Sequence, residues 1–327
     1  DDLGVEAPRR PGLEVRDAEV AAPFRHVLGH PVESRHPHPE LDLGVRGEQP
    51  RHRPLAGEGG RVGREADLES PRAQTLRQLE LMRKDLGEVR AFLGHFLQDW
   101  LFLETDYSWR LDPAVAGRAN VVADLGSHWC DLVQFVTGRR IVEVMAELHT
   151  CLPRRFRPKG GGLSFGAGAA GEREAVDVVL DDYAALFLKL DNGARGNFTT
   201  CQAAAGRKVE IELQVFGSKE SYAWSHVHPN ALWIGHREKG NEVFFESSVL
   251  QDESARRYAG LPTGHPMGYH DAVFNLFRDY YEALAAKRAG RPFQTGFPGF
   301  RTGHEMMCVI DAAVESDRTG RWTAVGG

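Results

Sequence analysis

The pattern of apolar and polar positions predicts a sheet in the second half of the chain. Residues 88–96 alternate apolar and polar side chains, as a half-buried strand does. Further strand patterns lie at residues 142–149, 175–180, 183–190, 193–201, 209–216, 222–224, 232–235 and 243–245. The Asp191-Asn192-Gly193 step predicts a hairpin, because these residues tolerate a positive φ. We therefore expect an α+β fold with an open-faced, mostly antiparallel sheet and flanking helices.

Helical spacing of apolar residues predicts helices at residues 76–86, from about 124 to 136, from near 269, and at residues 306–313. Gly138 follows the second of these as a terminator. The third should direct an apolar face inward, formed by Phe274, Phe277, Tyr281 and Leu284. Residues 154–171 are rich in Gly and basic side chains, and we expect a loop there.

The helix that begins near Asp124 combines an apolar side with a polar stripe. Asp124, His128 and Asp131 are four and three residues apart, so they share one face. An imidazole flanked by carboxylates can be tuned toward neutral pH, as a general acid or base requires. The alternative is an N-terminal Asp that favours the helix dipole and a His that is simply hydrogen-bonded.

Residues 1–73 have a different composition from the rest. They contain no Ile, Lys, Asn, Tyr, Trp, Met, Cys or Thr, and they hold nine of the 17 prolines. Such a segment buries little apolar surface, so we expect disorder or poorly packed coil over residues 1–75. The bias is also typical of a wrong reading frame, or the opposite strand, of a GC-rich gene. Four histidines in this stretch lack the regular spacing of metal ligands, namely His26, His30, His36 and His38.

Charge and hydropathy give no indication of a nucleic-acid or membrane partner. A formal net charge of −6 over 327 residues leaves no basic footprint for nucleic acid, and no apolar run approaches a membrane helix in length. The four cysteines form no C-x-x-C pair, so we expect neither a zinc knuckle nor a disulfide framework, and a reducing cytoplasm fits best. A literal G-x-G-x-x-G occurs at residues 166–171. Its neighbours do not read as strand and helix, which favours a flexible loop over a phosphate-binding turn.

From about residue 76 onward the chain resembles the C-terminal part of the Gfo/Idh/MocA oxidoreductases, the glucose-fructose oxidoreductase and inositol dehydrogenase group. The motifs that carry this resemblance are Leu86-Gly87-Glu88-Val89-Arg90, Gln98-Asp99-Trp100, residues 106–113 (DYSWRLDP), residues 124–131 (DLGSHWCD), residues 191–196 (DNGARG), Gly264-His265-Pro266 and Gly320-Arg321-Trp322. The resemblance implies an enzyme that moves hydride between a sugar or polyol carbon and NAD or NADP. It also implies a Rossmann domain ahead of an open-faced sheet domain that joins subunits into a homo-oligomer.

The resemblance assigns roles to particular residues. His128 would take the hydroxyl proton as hydride leaves, and Asp124 would orient the substrate or His128. Trp109 and Arg110 would border the sugar, with Asp131 and His265 completing the substrate-binding set. Ordinary core packing for Trp109 and a loop-capping role for His265 are the alternatives.

Two features of the family are missing ahead of residue 76. These are the Gly-rich strand-turn-helix for the dinucleotide and a Glu-Lys-Pro segment whose Lys polarises the reacting oxygen. We therefore expect a Gfo/Idh/MocA-like domain at residues 76–327 that is inactive alone, since the cofactor carries the hydride chemistry. One alternative is a noncatalytic oligomerisation or sugar-binding module. The last is a metal-dependent isomerase whose ligands are Asp124, His128, Asp131 and His265, although we expect no metal.

Overall fold

A computed structural model describes residues 85–159, 172–245, 256–258, 260–262, 264–292 and 297–326, which all belong to one compact unit, Arg61–Gly327. The predicted segment 1–75, most of the predicted helix 76–86 and the glycine motif 166–171 lie outside these ranges.

The described ranges form a nine-stranded sheet and a separate two-stranded hairpin. The strands are β1 Val89–Leu97, β2 Ile141–His149, β3 Arg154–Pro158, β4 Arg173–Asp177, β5 Tyr183–Leu190, β6 Arg195–Cys201, β7 Glu210–Gly217, β8 Ser221–Ser225, β9 Ala231–Gly235, β10 Glu242–Phe245 and β11 Thr323–Ala324. The order in the large sheet is β10-β9-β8-β7-β1-β6-β5-β2-β11. Only β1 and β6 pair in parallel among these strands, so the expected mostly antiparallel sheet is confirmed.

One predicted loop is partly a strand. Residues 154–158 form β3, which pairs antiparallel with β4, although we expected a loop from residue 154. Cross-strand charge pairs support this hairpin in place of apolar alternation, as Arg157 binds Glu174. Apolar periodicity therefore gave no signal for β3.

Helices flank the sheet. They are α1 Pro113–Ala116, α2 Ser127–Thr137, α3 Tyr269–Arg288 and α4 Phe300–Thr319, with a short 3₁₀ turn at Trp109–Leu111. A five-residue π-helical turn, Val122–Gly126, runs directly into α2. Gly138 ends α2 with a φ of 63°, in the left-handed region that glycine adopts without strain, which confirms the predicted terminator.

The main core lies between the sheet and helices α2 and α4. Trp129 of α2 is fully buried, stacks on Phe198 of β6 at 4.5 Å between ring centroids, and donates its indole N–H to the Glu212 carbonyl at 2.8 Å. This close approach depends on Gly94 of β1, because a Cβ there would collide with that carbonyl and lie 2.9 Å from Trp129 Nε1. The packing fixes the rotation of α2, and with it the face that carries the polar stripe.

The predicted inward face of α3 is wrong. Phe274 is 67% exposed and Tyr281 is 62% exposed, whereas Asn275 and Asp279 are buried. The buried carboxylate of Asp279 accepts hydrogen bonds from the Tyr258 hydroxyl at 2.7 Å and from Arg257 at 2.9 Å. Hydrogen-bonded polar residues thus occupy the inner side of α3, and the regularly spaced aromatic residues lie on its outer side. Within the described residues, no helix is both long and apolar enough to cross a membrane.

Candidate functional site

The π-helical turn ahead of α2 is held at its start by a buried carboxylate. Asp181, in the connection from β4 to β5, accepts the backbone N–H of Asn120 at 2.6 Å and that of Val122 at 2.9 Å. Burial raises the pKa of Asp181, and these two N–H groups oppose the rise. Asp181 therefore caps the helical segment from outside it and fixes where Asp124 begins the polar stripe. Single π turns of this kind are frequent at functional sites.

Asp124 lies in this turn with both carboxylate oxygens occupied. Its Oδ2 accepts the side-chain N–H of Gln202 at 2.8 Å, and its Oδ1 lies 3.4 Å from Arg110 Nε. The side chains of Asp124 and Arg110 are 13% and 12% exposed, so the pair is shielded from bulk water yet reachable at one edge. The structure thus brings two of the predicted site residues together.

Two indole rings border Arg110. Its guanidinium carbon lies 4.5 Å from the centroid of Trp109 and 6.0 Å from that of Trp100. Trp109 is 36% exposed, so it is not an ordinary core residue. An arginine stacked on aromatic faces keeps its planar fork in a defined direction, here toward Asp124.

His128 follows Asp124 by one helical turn on α2. It is half-buried, and its ring centroid lies 6.3 Å from that of Phe96. Asp131, one turn further, is buried. Cys130 is not suited to act as a nucleophile, because burial, aided by the charge of Asp131, raises the pKa of its thiol to about 12.

His265 is exposed, and its turn accounts for its contacts. Its backbone N–H donates to the Pro262 carbonyl at 3.1 Å, and its Nδ1 lies at the same distance from that oxygen. Its assignment to the substrate site therefore remains a prediction, beside the loop-capping alternative. In the described ranges no three His, Cys, Asp or Glu side chains are grouped as metal ligands, so the four residues of the isomerase hypothesis do not form such a cluster.

Known proteins resemble this chain in sequence and in fold. Residues 74–223 match the family described as the GFO/IDH/MocA C-terminal domain. Over this part of the chain, the sequence matches the Gfo/Idh/MocA family. A curated relative, the uncharacterized oxidoreductase YfiI of Bacillus subtilis, is 23% identical over 55% of this chain and 40% of its own length.

Solved structures share the fold of this chain. An oxidoreductase domain protein from Kribbella flavida is 29% identical, with a TM-score of 0.65 over 78% of this chain and 64% of that one. An inositol dehydrogenase homologue complexed with NAD⁺ from Azotobacter vinelandii is 22% identical, with a TM-score of 0.66 over 79% of this chain and 64% of that one. Levoglucosan dehydrogenase in complex with NADH and L-sorbose is 20% identical, with a TM-score of 0.65 over 79% and 65% of the two chains. This chain therefore spans less than two thirds of each of these three structures.

The described residues of this chain do not fit a dinucleotide. Across the described ranges, no strand passes through a Gly-rich turn into a helix whose N-terminus would receive a pyrophosphate. What they present is the sheet, the polar stripe of α2 and the loop of Trp109 and Arg110.

Sequence reasoning missed the buried residues that hold the site from behind. Gln202 and Asn120 are 0% and 2% exposed, and Asp181 and Asp182 are also buried. Asp181, Asp182 and Gln202 lie far from Asp124 in sequence, so no helical or strand period connects them to it. Asn120 is only four residues before Asp124, but it lies ahead of the predicted start of the helix. The one available signal was the Asp181-Asp182 pair between two strand patterns, since adjacent carboxylates at a strand start are costly unless they are bound.

A second support anchors the loop that carries the indole rings. Arg155 and Asp182 have fully buried side chains and form an ion pair at 3.0 Å. Arg155 also donates to three loop carbonyls, those of Leu101, Leu103 and Asp106. The loop ahead of Trp109 is thus tied to β3 and to the start of β5.

Proposed function

We propose that this chain forms the substrate-binding and proton-transfer part of an NAD(P)-dependent oxidoreductase that acts on a sugar or polyol. The observation that carries the proposal is Asp124, held between Gln202 and Arg110 one helical turn before His128. The match of residues 74–223 to the GFO/IDH/MocA C-terminal domain supports an oxidoreductase. The complexes of structural neighbours with NADH and L-sorbose, or with NAD⁺, support the cofactor and the substrate class.

The binding role falls to the acidic and aromatic groups. A carboxylate and a guanidinium side by side offer both an acceptor and several donors, which suits the paired hydroxyls of a polyol. The exposed indole of Trp109 adds an apolar wall next to them. Asp131 and His265 remain secondary candidates for the same substrate.

The proton role falls to His128. Oxidation of a carbinol carbon releases a hydroxyl proton, and a neutral imidazole nitrogen accepts it near neutral pH. Asp124 is engaged with two donors, which suits it for orienting the hydroxyl rather than for taking its proton. A bound nicotinamide would supply the hydride acceptor, and we assign its binding to polypeptide outside the described residues.

A chimera tests this division of labour. Residues 1–84 are replaced by the N-terminal part of the Kribbella flavida relative, and both proteins are titrated with NADH and NADPH while nicotinamide fluorescence is recorded. We expect no binding by the original chain, binding by the chimera, and turnover of a polyol or sugar such as inositol or levoglucosan. A chimera that binds the cofactor and oxidises none of a panel of sugars and polyols would contradict the enzymatic proposal. The noncatalytic module would then be favoured.

A further inference from the structure

A short chain of buried amides lies behind Asp124. Asn120 Nδ2 donates to two oxygens at 2.8 Å, the Asp181 carbonyl and Gln202 Oε1. Gln202 Nε2 in turn donates to Asp124 Oδ2 at 2.8 Å. Gln202 is fully buried and Asn120 is 2% exposed, so water does not substitute for these partners.

The direction of every hydrogen bond in this chain is set by a backbone carbonyl. The Asp181 carbonyl can only accept, so Asn120 must present its amide nitrogen there. The second hydrogen on that nitrogen requires an acceptor, which fixes Gln202 with Oε1 toward Asn120 and Nε2 toward Asp124. A reversed Gln202 amide would place oxygen against carboxylate and nitrogen against nitrogen, and both contacts are repulsive.

We propose that Gln202 is a positioning residue of the candidate site, whose side-chain N–H, oriented through Asn120, aims the Asp124 carboxylate at the substrate. The inference rests on the proposed function, since it assigns Asp124 the orienting role there. Gln202 fixes Oδ2, so Oδ1, which lies 3.4 Å from Arg110 Nε, would meet a substrate hydroxyl together with that guanidinium. Asp124 is thereby held as a hydrogen-bond acceptor, and proton exchange is assigned to His128.

Nuclear magnetic resonance on the full chain, without cofactor, tests the hydrogen bond itself. The ¹⁵N-labelled side-chain amide of Gln202 is assigned by its disappearance in Gln202→Glu. We expect a downfield amide proton that moves upfield in Asp124→Asn, where the acceptor becomes neutral. A Gln202 resonance that Asp124→Asn leaves unchanged would overturn the proposal.

Gln202→Glu isolates the donor in the chimera. It keeps the oxygen that accepts from Asn120 but places a second carboxylate against Asp124. We expect sugar affinity about 10- to 100-fold weaker at neutral pH, with recovery at lower pH, where a protonated Glu again donates. Gln134→Glu is the matched control, because the Gln134 oxygen accepts from the Ile141 N–H, away from Asp124, and we expect unchanged affinity.

Affinity that falls equally at all pH values, or falls equally in both variants, would assign Gln202 a merely structural role. The two proposals fail separately. A chimera without sugar turnover contradicts the proposed function, whereas the resonance test on the full chain decides the position of Gln202 without any substrate.

Discussion

At the scale of single residues, His128 is the group whose loss separates chemistry from binding. His128→Asn keeps a hydrogen-bonding side chain of similar size but removes the titrating imidazole. In the chimera we expect kcat to fall by roughly two to four orders of magnitude, as for loss of a general acid or base, with little change in KM. Steady-state kinetics measure this. His304→Asn, an exposed histidine on α4, is the control, and a His128→Asn enzyme with the control's turnover refutes the assignment.

Glycine at position 94 is a residue-scale requirement for the placement of α2. Gly94→Ala would drive a Cβ into the Glu212 carbonyl and against Trp129 Nε1, so we expect a loss of about 1–3 kcal/mol in the free energy of unfolding. Gly303→Ala offers the opposite case, because a Cβ meets no atom within 4 Å in α4, and alanine favours a helix by up to about 1 kcal/mol.

Urea unfolding of the two glycine variants measures the expected loss and the expected gain in the free energy of unfolding. The comparison separates crowding at the β1–β7–α2 contact from the general effect of adding a methyl group. Equal stabilities for the two variants would show that Trp129 does not depend on this close approach.

At the scale of elements, apolar periodicity predicted the strands and helices that bury apolar side chains. Strand β5 occupies residues 183–190 as expected, because Ala184, Leu186 and Leu188 alternate with half-buried or exposed positions. The same signal failed for β3, where charge pairs replace apolar alternation, and for α3, where Asp279 is buried by its partners. The apolar period reflects side-chain hydropathy only, and it does not indicate which polar groups are bound to one another.

Some residues of the candidate site could be predicted from the sequence, and others could not. Asp124, His128 and Asp131 were predicted because helix geometry places them on one face, and Trp109 and Arg110 because the family motif includes them. Gln202, Asn120 and Asp181 could not be predicted, since their contacts depend on how β5, β6 and the turn before α2 meet in three dimensions. The π-helical form of that turn was also absent from the pattern.

The buried ion pair beneath the site loop gives an element-scale prediction. Asp182→Asn leaves the Arg155 guanidinium buried without its counter-charge, so we expect a loss of about 3–5 kcal/mol in the free energy of unfolding. Asp311→Asn breaks the exposed pair of Arg118 and Asp311, whose side chains are 65% and 67% exposed, and should cost less than about 1 kcal/mol.

Both aspartate variants keep the side-chain shape and remove one charge, and urea unfolding measures the two losses. Asp182 also accepts the backbone N–H groups of Cys151 at 2.6 Å and Leu152 at 3.3 Å, so its loss includes those hydrogen bonds. The fluorescence of Trp109 is obtained by subtracting the spectrum of the matching variant that also carries Trp109→Phe. We expect this difference to report a loosened loop in Asp182→Asn only. Similar stabilities for the two variants would contradict the view that Arg155 and Asp182 anchor this loop.

At the scale of the whole molecule, the sheet has one face packed on helices and one face without a described layer over it. Alternation directs Phe187 of β5 to the second face, where it is 60% exposed. Lys189 lies nearby on the same strand, bound to Glu143 and placed 4.1 Å from the Trp322 ring centroid. From this exposed phenylalanine beside a charged pair, we propose that the face associates with a second copy of this chain.

Self-association through this face predicts a difference between two exposed phenylalanines. Phe187→Glu places a charge at the centre of the proposed interface, and we expect the apparent mass in light scattering after size exclusion to fall toward 36.3 kDa, that of one chain. Phe274→Glu, on the outer side of α3 and 67% exposed, carries the same change on another surface and should leave the mass unaltered. Burying a carboxylate without a partner is costly, so one charge at the centre suffices to weaken the interface. Wild-type chain that is monomeric at all concentrations, or that dissociates only in Phe274→Glu, would contradict association through the sheet.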